Sequence, residues 1–556
     1  MNNNLFVMKK SLLRFLGIAT FGVMLVACNN PKDMVKYADD VEKSCNPEIL
    51  EVIADKIDVT YTLTFPEGYF HPKAMLEVTP VLVYEGGEVA AQALKLQGEK
   101  VQDNYNVIPV AGDAIQHKIQ FDYVEGMAKS HLELRGAVIY KDDVWPFPVA
   151  YKIADGANIT YKWVELDGTP ALMPNDYQKV IQEAEETNIM YAKNSAQVRG
   201  KELTKGEIKE FQEFLKNLPA DERRVIKGTD IIAYASPEGP VDFNEKLSEN
   251  RMKSAEKAYQ TITRKIKPEG EVSLQTKGED WEGFQELVSQ TDLGDKDLIL
   301  RVLSMYSDPV VREREIRNMS AVYKILEDKV LPKLRRARLI TNVEFTNYSD
   351  EELIELTASN MDALNEEALL YAATLTRDND TKIALYKKAA EKYNSPRGQN
   401  NLAVAYLNAG KVNEAAAALA KCDASNPIVA NNLGVIEMRK GNYGKAAEFF
   451  GKSGCETAKY NQGALDILNG KYKEALVKLD GQSHMNGSLA QLLNGNLDKA
   501  EAALGSCRCA NSTYMKAVIA ARKGQASKVG ELMEEINKVP EYAVKASKDI
   551  EFAKYR

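Results

Sequence analysis

Histidine is scarce in this chain, with four in 556 residues: His71, His117, His131 and His484. They fall in separate segments with no H-E-x-x-H pair and no metal-ligand spacing, so neither a zinc site nor a histidine-based hydrolytic centre is expected. G-x-S-x-G, P-loop and G-x-G-x-x-G patterns are equally missing, and with them the common signatures of hydrolases, nucleotidases and dinucleotide enzymes. No enzymatic activity is expected. Cysteine is sparse too. Besides Cys28 there are Cys45, Cys422, Cys455, Cys507 and Cys509, an odd and scattered set that allows one or two disulfides but no disulfide-built scaffold. Cys507-Arg508-Cys509 lacks C-x-x-C spacing, so small buried residues or a single disulfide is the reading of the repeat-region cysteines. With 80 acidic against 72 basic residues the net charge is −8, which disfavours nucleic acid as a partner. Beyond the first thirty residues no apolar run is long enough to span a bilayer.

What is present begins at the N-terminus. Lys9, Lys10 and Arg14 precede an apolar stretch over residues 15–27, which ends in Leu25, Val26, Ala27 and Cys28. The stretch is about a dozen residues, short of the roughly 20 a spanning helix needs. Its pattern resembles the signal peptide and lipobox of bacterial lipoproteins. The resemblance implies that residues 1–27 are removed and that Cys28 carries a diacylglyceryl lipid, the one covalent group expected here in place of any cofactor. Stable anchoring takes two or more acyl chains, and the resemblance implies an outer-membrane location, facing the periplasm, with surface exposure left open. Loss of residues 1–27 takes the net charge from −8 to −11. Residues 28–44, starting Asn29, Asn30, Pro31, Lys32, Asp33, read as a polar tether.

Length and 44% apolar content suit about three or four domains. Residues 45–167 have a period of two. Val59, Tyr61, Leu63 and Phe65 alternate with Asp58, Thr60, Thr62 and Thr64, and similar runs at 74–84, 117–123, 130–140 and 158–164 predict an antiparallel β-sandwich. Two prolines in Trp145-Pro146-Phe147-Pro148 mark an edge or a bulge. Residues 180–346 alternate strand and helix. A strand near 189–191 leads to a helix opened by Thr204 and Glu207 as a capping box. Ile231, Ile232 and Tyr234 form a strand that runs into the turn Ala235-Ser236-Pro237-Glu238-Gly239. A helix follows from near Asp242, then a strand at 272–276, helical segments around Trp281 and over 310–330, and a last strand at 334–345. This is an α+β domain. Residues 350–556 are alanine-rich, helical and repetitive: Asn401-Leu402-Ala403 and Asn432-Leu433-Gly434 lie 31 apart, as do Gly410 and Gly441, and Ala415 and Ala446.

Two further resemblances rest on these residues. Asn244, Leu247, Ser248 and Arg251 resemble the N-x-x-L-S-x-x-R signature of OmpA-like peptidoglycan-binding domains, and Leu334 to Arg338 resembles that family's closing strand with its arginines. In that family an Asp in the turn and an Arg on the helix hold the zwitterionic end of a stem-peptide diaminopimelate. A guanidinium fork fits a carboxylate, and a carboxylate takes the ammonium. Arg251 matches the Arg, but Ser236 stands at the Asp position, and Glu238 or Asp242 is left to supply the missing charge. The C-terminal units resemble tetratricopeptide repeats, with Asn461-Gln462-Gly463, Gly470, Gly495 and Gly524 as drifting later copies. Stacked repeats imply an inner groove for an extended peptide or partner helix.

The expected protein is therefore a multidomain, non-catalytic envelope lipoprotein that tethers or scaffolds outer-membrane complexes. Its OmpA-like domain would contact peptidoglycan, and its repeats would dock envelope proteins. The rival is an assembly subunit whose OmpA-like domain no longer binds the wall. Cut after Phe345, the chain should leave a soluble, folded fragment.

Overall fold

The computed structural model describes residues 30–292 and 296–556; Cys28 and the expected signal segment, residues 1–27, lie outside the described residues. The chain forms two compact units. One joins the residues up to Met173 with Gln399–Arg556, and the other is Pro174–Gly398. The N-terminal part is β-rich and the C-terminal part all-helical. The units do not follow the expected serial order: the helices beyond Gln399 share a unit with the β-rich part, and those over 350–398 belong with the α/β part.

In the first unit, eleven strands among the described residues form one connected sheet: β1 (Glu42–Asn46), β2 (Ile49–Ile53), β3 (Lys56–Phe65), β4 (Met75–Tyr84), β5 (Gly87–Ala90), β6 (Leu94–Gly98), β7 (Asn106–Ile108), β8 (Asp113–Asp122), β9 (Ser130–Tyr140), β10 (Asp143–Pro146) and β11 (Tyr151–Asn158). The alternation read from sequence is the physical cause of β3: Ile57, Val59, Tyr61, Leu63 and Phe65 are buried while their neighbours face out. β2 joins the two halves of the sheet, antiparallel to β3 on one side and parallel to β11 on the other. Two separate sheets were expected; the connection through β2 makes them one. β10 pairs only with β9, the edge place that Pro146 requires. The strand expected at 158–164 is instead the end of β11 and a 3-10 turn, Thr160–Trp163.

The polar tether is shorter than its composition suggests. A helical turn, Asp33–Lys36, buries Met34 completely, and Tyr69 donates its hydroxyl proton to Met34 O at 2.8 Å. Val41 is buried and β1 pairs with β3, so residues from Asp33 to Ser44 of the expected tether belong to the fold.

The helices beyond Gln399 come in hairpins. Pro427–Arg439 with Tyr443–Ser453, and Glu456–Leu468 with Tyr472–Leu479, are two of them. The turn glycines Gly410, Gly441, Gly470, Gly495 and Gly524 all have φ between 71° and 77°, the left-handed region that favours glycine. Ala415, Ala446, Ala475 and Ala500 are fully buried where the second helix of each pair packs. Space there is tight. A Cβ on Gly434 would stand 2.5 Å from the Phe450 ring.

Sheet and helices share one hydrophobic core. It runs from Leu50, Ile57 and Tyr61 through Ile467, Leu489, Tyr514 and Phe552. Trp163 lies 4.4 Å from Tyr514, centroid to centroid. The nearly buried Glu551 carboxylate accepts from Asn158 and Thr160 at 2.8 Å each, and from Arg522 at 2.9 Å. This pairing ties the last turn of the chain to the end of the sheet.

The second unit holds a four-stranded sheet of β12 (Val180–Met190), β13 (Arg224–Ala235), β14 (Glu271–Glu279) and β15 (Arg336–Thr346), in the order β12-β15-β13-β14. β13 and β14 are parallel, joined by the helix Val241–Thr263, and β15 is antiparallel to both its neighbours. The helix expected to open with a capping box runs Gly206–Asn217. Lys205 takes its N-cap position and makes no side-chain cap; Thr204 donates back to Lys201 O. Beside the starts of β12 and β13, Lys179 pairs with Asp350 and Arg223 with Glu352, while Tyr177 stacks on Tyr371 at 4.7 Å. These contacts attach the helices Asp350–Ser359 and Glu366–Leu375 to this unit rather than to the later repeats.

Candidate functional site

Two places in the chain concentrate polar groups in buried surroundings. The first is the turn after β13. Ser236, Asn244, Ser248 and Arg251 are all under 5% exposed, and Leu247 is 9% exposed. The Ser236 hydroxyl donates to the Glu238 carboxylate, and Arg335 grips that carboxylate with two bonds of 2.7 and 3.1 Å. Lys193 approaches it at 3.4 Å. Burial alone would raise a carboxylate, but the bonds from Arg335 and Ser236 outweigh it and hold Glu238 below its ordinary value. Asn244 ties turn to helix by donating to Gly239 O at 3.0 Å and to Glu279 at 2.8 Å. Ser248 donates to Glu245 O.

Arg251 sits at 0% exposure. Its Nε donates to Ser195 O at 3.0 Å, one terminal nitrogen to Tyr234 O at 2.9 Å and the other to Ala192 O at 3.2 Å. Tyr191 lies under it with its ring centre 5.0 Å away. Burial pushes the guanidinium down to about 10, still charged at neutral pH. The six residues singled out from the sequence are thus gathered around one turn, but Arg251 is committed to main-chain carbonyls and Glu238 to Arg335. Asp242 lies exposed in the first turn of the helix Val241–Thr263. Sequence reading gave no role to Lys193, Glu279 or Asp280. Asp280 is 2% exposed, pairs with Arg336 at 2.9 Å and caps the helix Trp281–Gln290. Two acids before an apolar helix start were the available signal.

The second place is the face made by the first helices of successive hairpins, within the first unit. There the segment 165–173 of the same chain runs across successive first helices. Asn461 accepts from Thr169 N at 2.8 Å and donates to Thr169 O at 3.0 Å. Asn432 does the same for Ala171 at 2.7 and 2.8 Å, and Asn401 for Met173 at 2.8 and 2.9 Å. Asn486 holds Glu165 likewise, at 2.8 Å both ways. Each amide thus satisfies both polar groups of one peptide residue, as a neighbouring strand would. The held residues 169, 171 and 173 alternate with Pro170, Leu172 and Pro174, so the prolines occupy positions where no N–H is needed. Gly168 makes the bend: its φ is +67°, and a Cβ there would stand 3.2 Å from Val435. A second row braces the first, with Asn432 donating to Asn400 at 2.9 Å and Asn461 to Asn431 at 3.0 Å.

Residues 165–173 of the chain itself thus lie along the first helices, on which an outside peptide is expected to dock. Asn432→Asp tests the ladder with almost no change of shape. The new carboxylate would face Ala171 O, so its folded pKa would rise above the ordinary ≈ 3.9 of Asp. The variant is expected to lose about 3 kcal/mol at neutral pH, and to recover part of it as pH falls through that raised pKa and the acid regains a donor. Urea melts at two pH values measure it.

The four histidines have different neighbours: Tyr140 for His71, Tyr61 for His117, Glu133 for His131, and the Gly487 amide for His484. Among the described residues no group of three or more His, Cys, Asp or Glu is placed to hold a metal ion, and no helix is long and apolar enough to cross a membrane. Comparison with known protein families, curated proteins and solved structures finds no match to this chain.

Proposed function

We propose that this chain is a lipid-anchored assembly subunit of the bacterial outer membrane, whose 180–346 domain has the OmpA-like plan but does not hold peptidoglycan. The observation that carries the second half is Arg251: a guanidinium at 0% exposure, with three bonds to carbonyls of its own unit, has no fork to offer a stem-peptide carboxylate. Ser236 in place of the family's Asp points the same way, and Glu238, the carboxylate two residues on, is neutralised by Arg335. The strand order β12-β15-β13-β14 and the helix carrying Asn244, Leu247, Ser248 and Arg251 support the OmpA-like kinship. The glycine-turned helix hairpins support the tetratricopeptide one. Envelope partners then meet faces of the chain other than the one that residues 165–173 cover. Lipid attachment at Cys28, within the outer membrane and facing the periplasm, rests on the signal sequence.

Sedimentation with purified peptidoglycan sacculi tests the reading. The full chain lacking residues 1–28 is expected to stay in the supernatant, and Ser236→Asp is expected to stay there too, because the new carboxylate would crowd Glu238 while Arg251 remains enclosed. Retention of the unsubstituted protein that free stem peptide competes away would restore the wall-binding function. In cells, Cys28→Ala should move the protein out of the membrane fraction.

A further inference from the structure

The repeat-region cysteines Cys507 and Cys509 are not the small buried residues their sequence context suggests. Both are exposed, whereas Cys45, Cys422 and Cys455 are half-buried. Their sulfurs stand 3.0 Å apart, both as free thiols. The chain turns back on itself between the helices Leu497–Leu504 and Ala510–Arg522, and Cys509 is the N-cap residue of the second. Its backbone N–H points at the Cys507 sulfur, 3.5 Å away. The turn is fixed from below: Lys516 donates to Cys507 O at 2.8 Å and Gly505 O at 3.1 Å, and Ser512 to Cys507 O at 3.2 Å.

From this geometry we infer that Cys507 and Cys509 form a thiol–disulfide exchange site, with Cys507 as the attacking sulfur and Cys509 as the resolving one, acting on exposed organic disulfides. The environment divides the roles. The Cys509 thiol, the Cys509 N–H, the Ser512 hydroxyl and the Lys516 charge hold the Cys507 thiol below its ordinary value, while the same pairing pushes Cys509 up. A lowered, accessible thiol beside a second thiol is the arrangement exchange requires. The Cys507 thiolate attacks one sulfur of R–S–S–R′, that bond breaks, and R′S⁻ leaves and takes a proton. Cys509 then loses its proton and attacks the Cys507 sulfur, releasing RS⁻. Two electrons pass to the external disulfide, which ends as two thiols, and the chain keeps a Cys507–Cys509 bond. The reverse sequence reduces the chain at the expense of a dithiol.

Arg508 makes the test direct, because trypsin cuts between the two cysteines. The reduced protein is incubated with oxidised glutathione, quenched in acid, alkylated and digested. Peptides 500–508 and 509–516 are expected to emerge covalently joined and to part on reduction. Cys509→Ser should stop at a glutathione adduct on Cys507, and Cys507→Ser should give neither product. Before oxidation, Cys507 should alkylate at neutral pH about tenfold faster than Cys45 or Cys422, whose thiols burial pushes up, that of Cys45 to about 11. The inference falls if glutathione leaves both sulfurs open to alkylation. It falls equally if the Cys509→Ser adduct spreads over Cys45, Cys422 and Cys455 as much as over Cys507. Both positions are exposed, so neither serine should disturb the fold, and unchanged thermal melts verify that.

Discussion

Cutting the chain after Phe345 is expected to unfold the β-rich part rather than to release it. The cut removes Tyr514 and Tyr542 from the faces of Trp163, the hydrogen-bonding Glu551 from Asn158 and Thr160, and every asparagine that holds residues 165–173. Losing the packing of one large aromatic side chain costs about 3–5 kcal/mol, and a whole domain rests on only about 5–15 kcal/mol, so the fragment falls below the stability it needs. It should aggregate or show no cooperative melt by circular dichroism. The complementary deletion should do the opposite. Removing residues 175–394 and joining Pro174 to Ser395 through a short Gly-Ser linker leaves the first unit whole. Asn401 holds Met173 at 2.8 Å across the junction, and Ser395, which accepts from the Gly398 amide, stays to begin the helix. This shortened chain should melt cooperatively, with its strands intact.

Arg251→Ala is expected to destabilise the second unit by about 4 kcal/mol. Three carbonyls, of Ala192, Ser195 and Tyr234, lose their donors at once, each buried polar group left unpaired costs about 1–3 kcal/mol, and the emptied space adds a cavity cost. Arg251→Lys replaces a planar fork with a single ammonium and should recover only part of this. Denaturant melts of the full chain, followed through a probe in residues 180–346, give the number. A loss under 1 kcal/mol would mean that the guanidinium turns outward in solution, free for an anionic ligand.

Much of the local structure was legible in the sequence. Val59, Tyr61, Leu63 and Phe65 announced a strand because a pleated strand puts alternate residues on one face. Gly410 and Gly441 announced turns because a left-handed residue ends a helix cheaply only as glycine. The clustering of Ser236, Glu238 and Asn244 followed from a strand, a turn and a helix in that order. What leaves no periodic trace is contact between distant segments, such as Asn158 with Glu551, 393 residues apart, and the shared core was missed for that reason. The role of Arg251 was missed because its partners are carbonyls, which every residue has and no sequence pattern marks. The asparagine ladder was half visible. Asn401, Asn432 and Asn461 served as repeat markers, yet asparagine inside a helix is unfavourable unless its amide is used, and doubled Asn400-Asn401 and Asn431-Asn432 at repeat spacing were the signal that something is held there.

That the first helices of the hairpins are covered by the chain's own strap, residues 165–173, is the claim on which both the domain division and the placing of partners depend. Amide hydrogen exchange of the intact protein measures it at Thr169, Ala171 and Met173, whose N–H groups donate to Asn461, Asn432 and Asn401. They should exchange as slowly as the buried helices that hold them, opening only with the whole unit. Exchange at the speed of an exposed loop, in the absence of any partner, would show those helices uncovered and contradict the account.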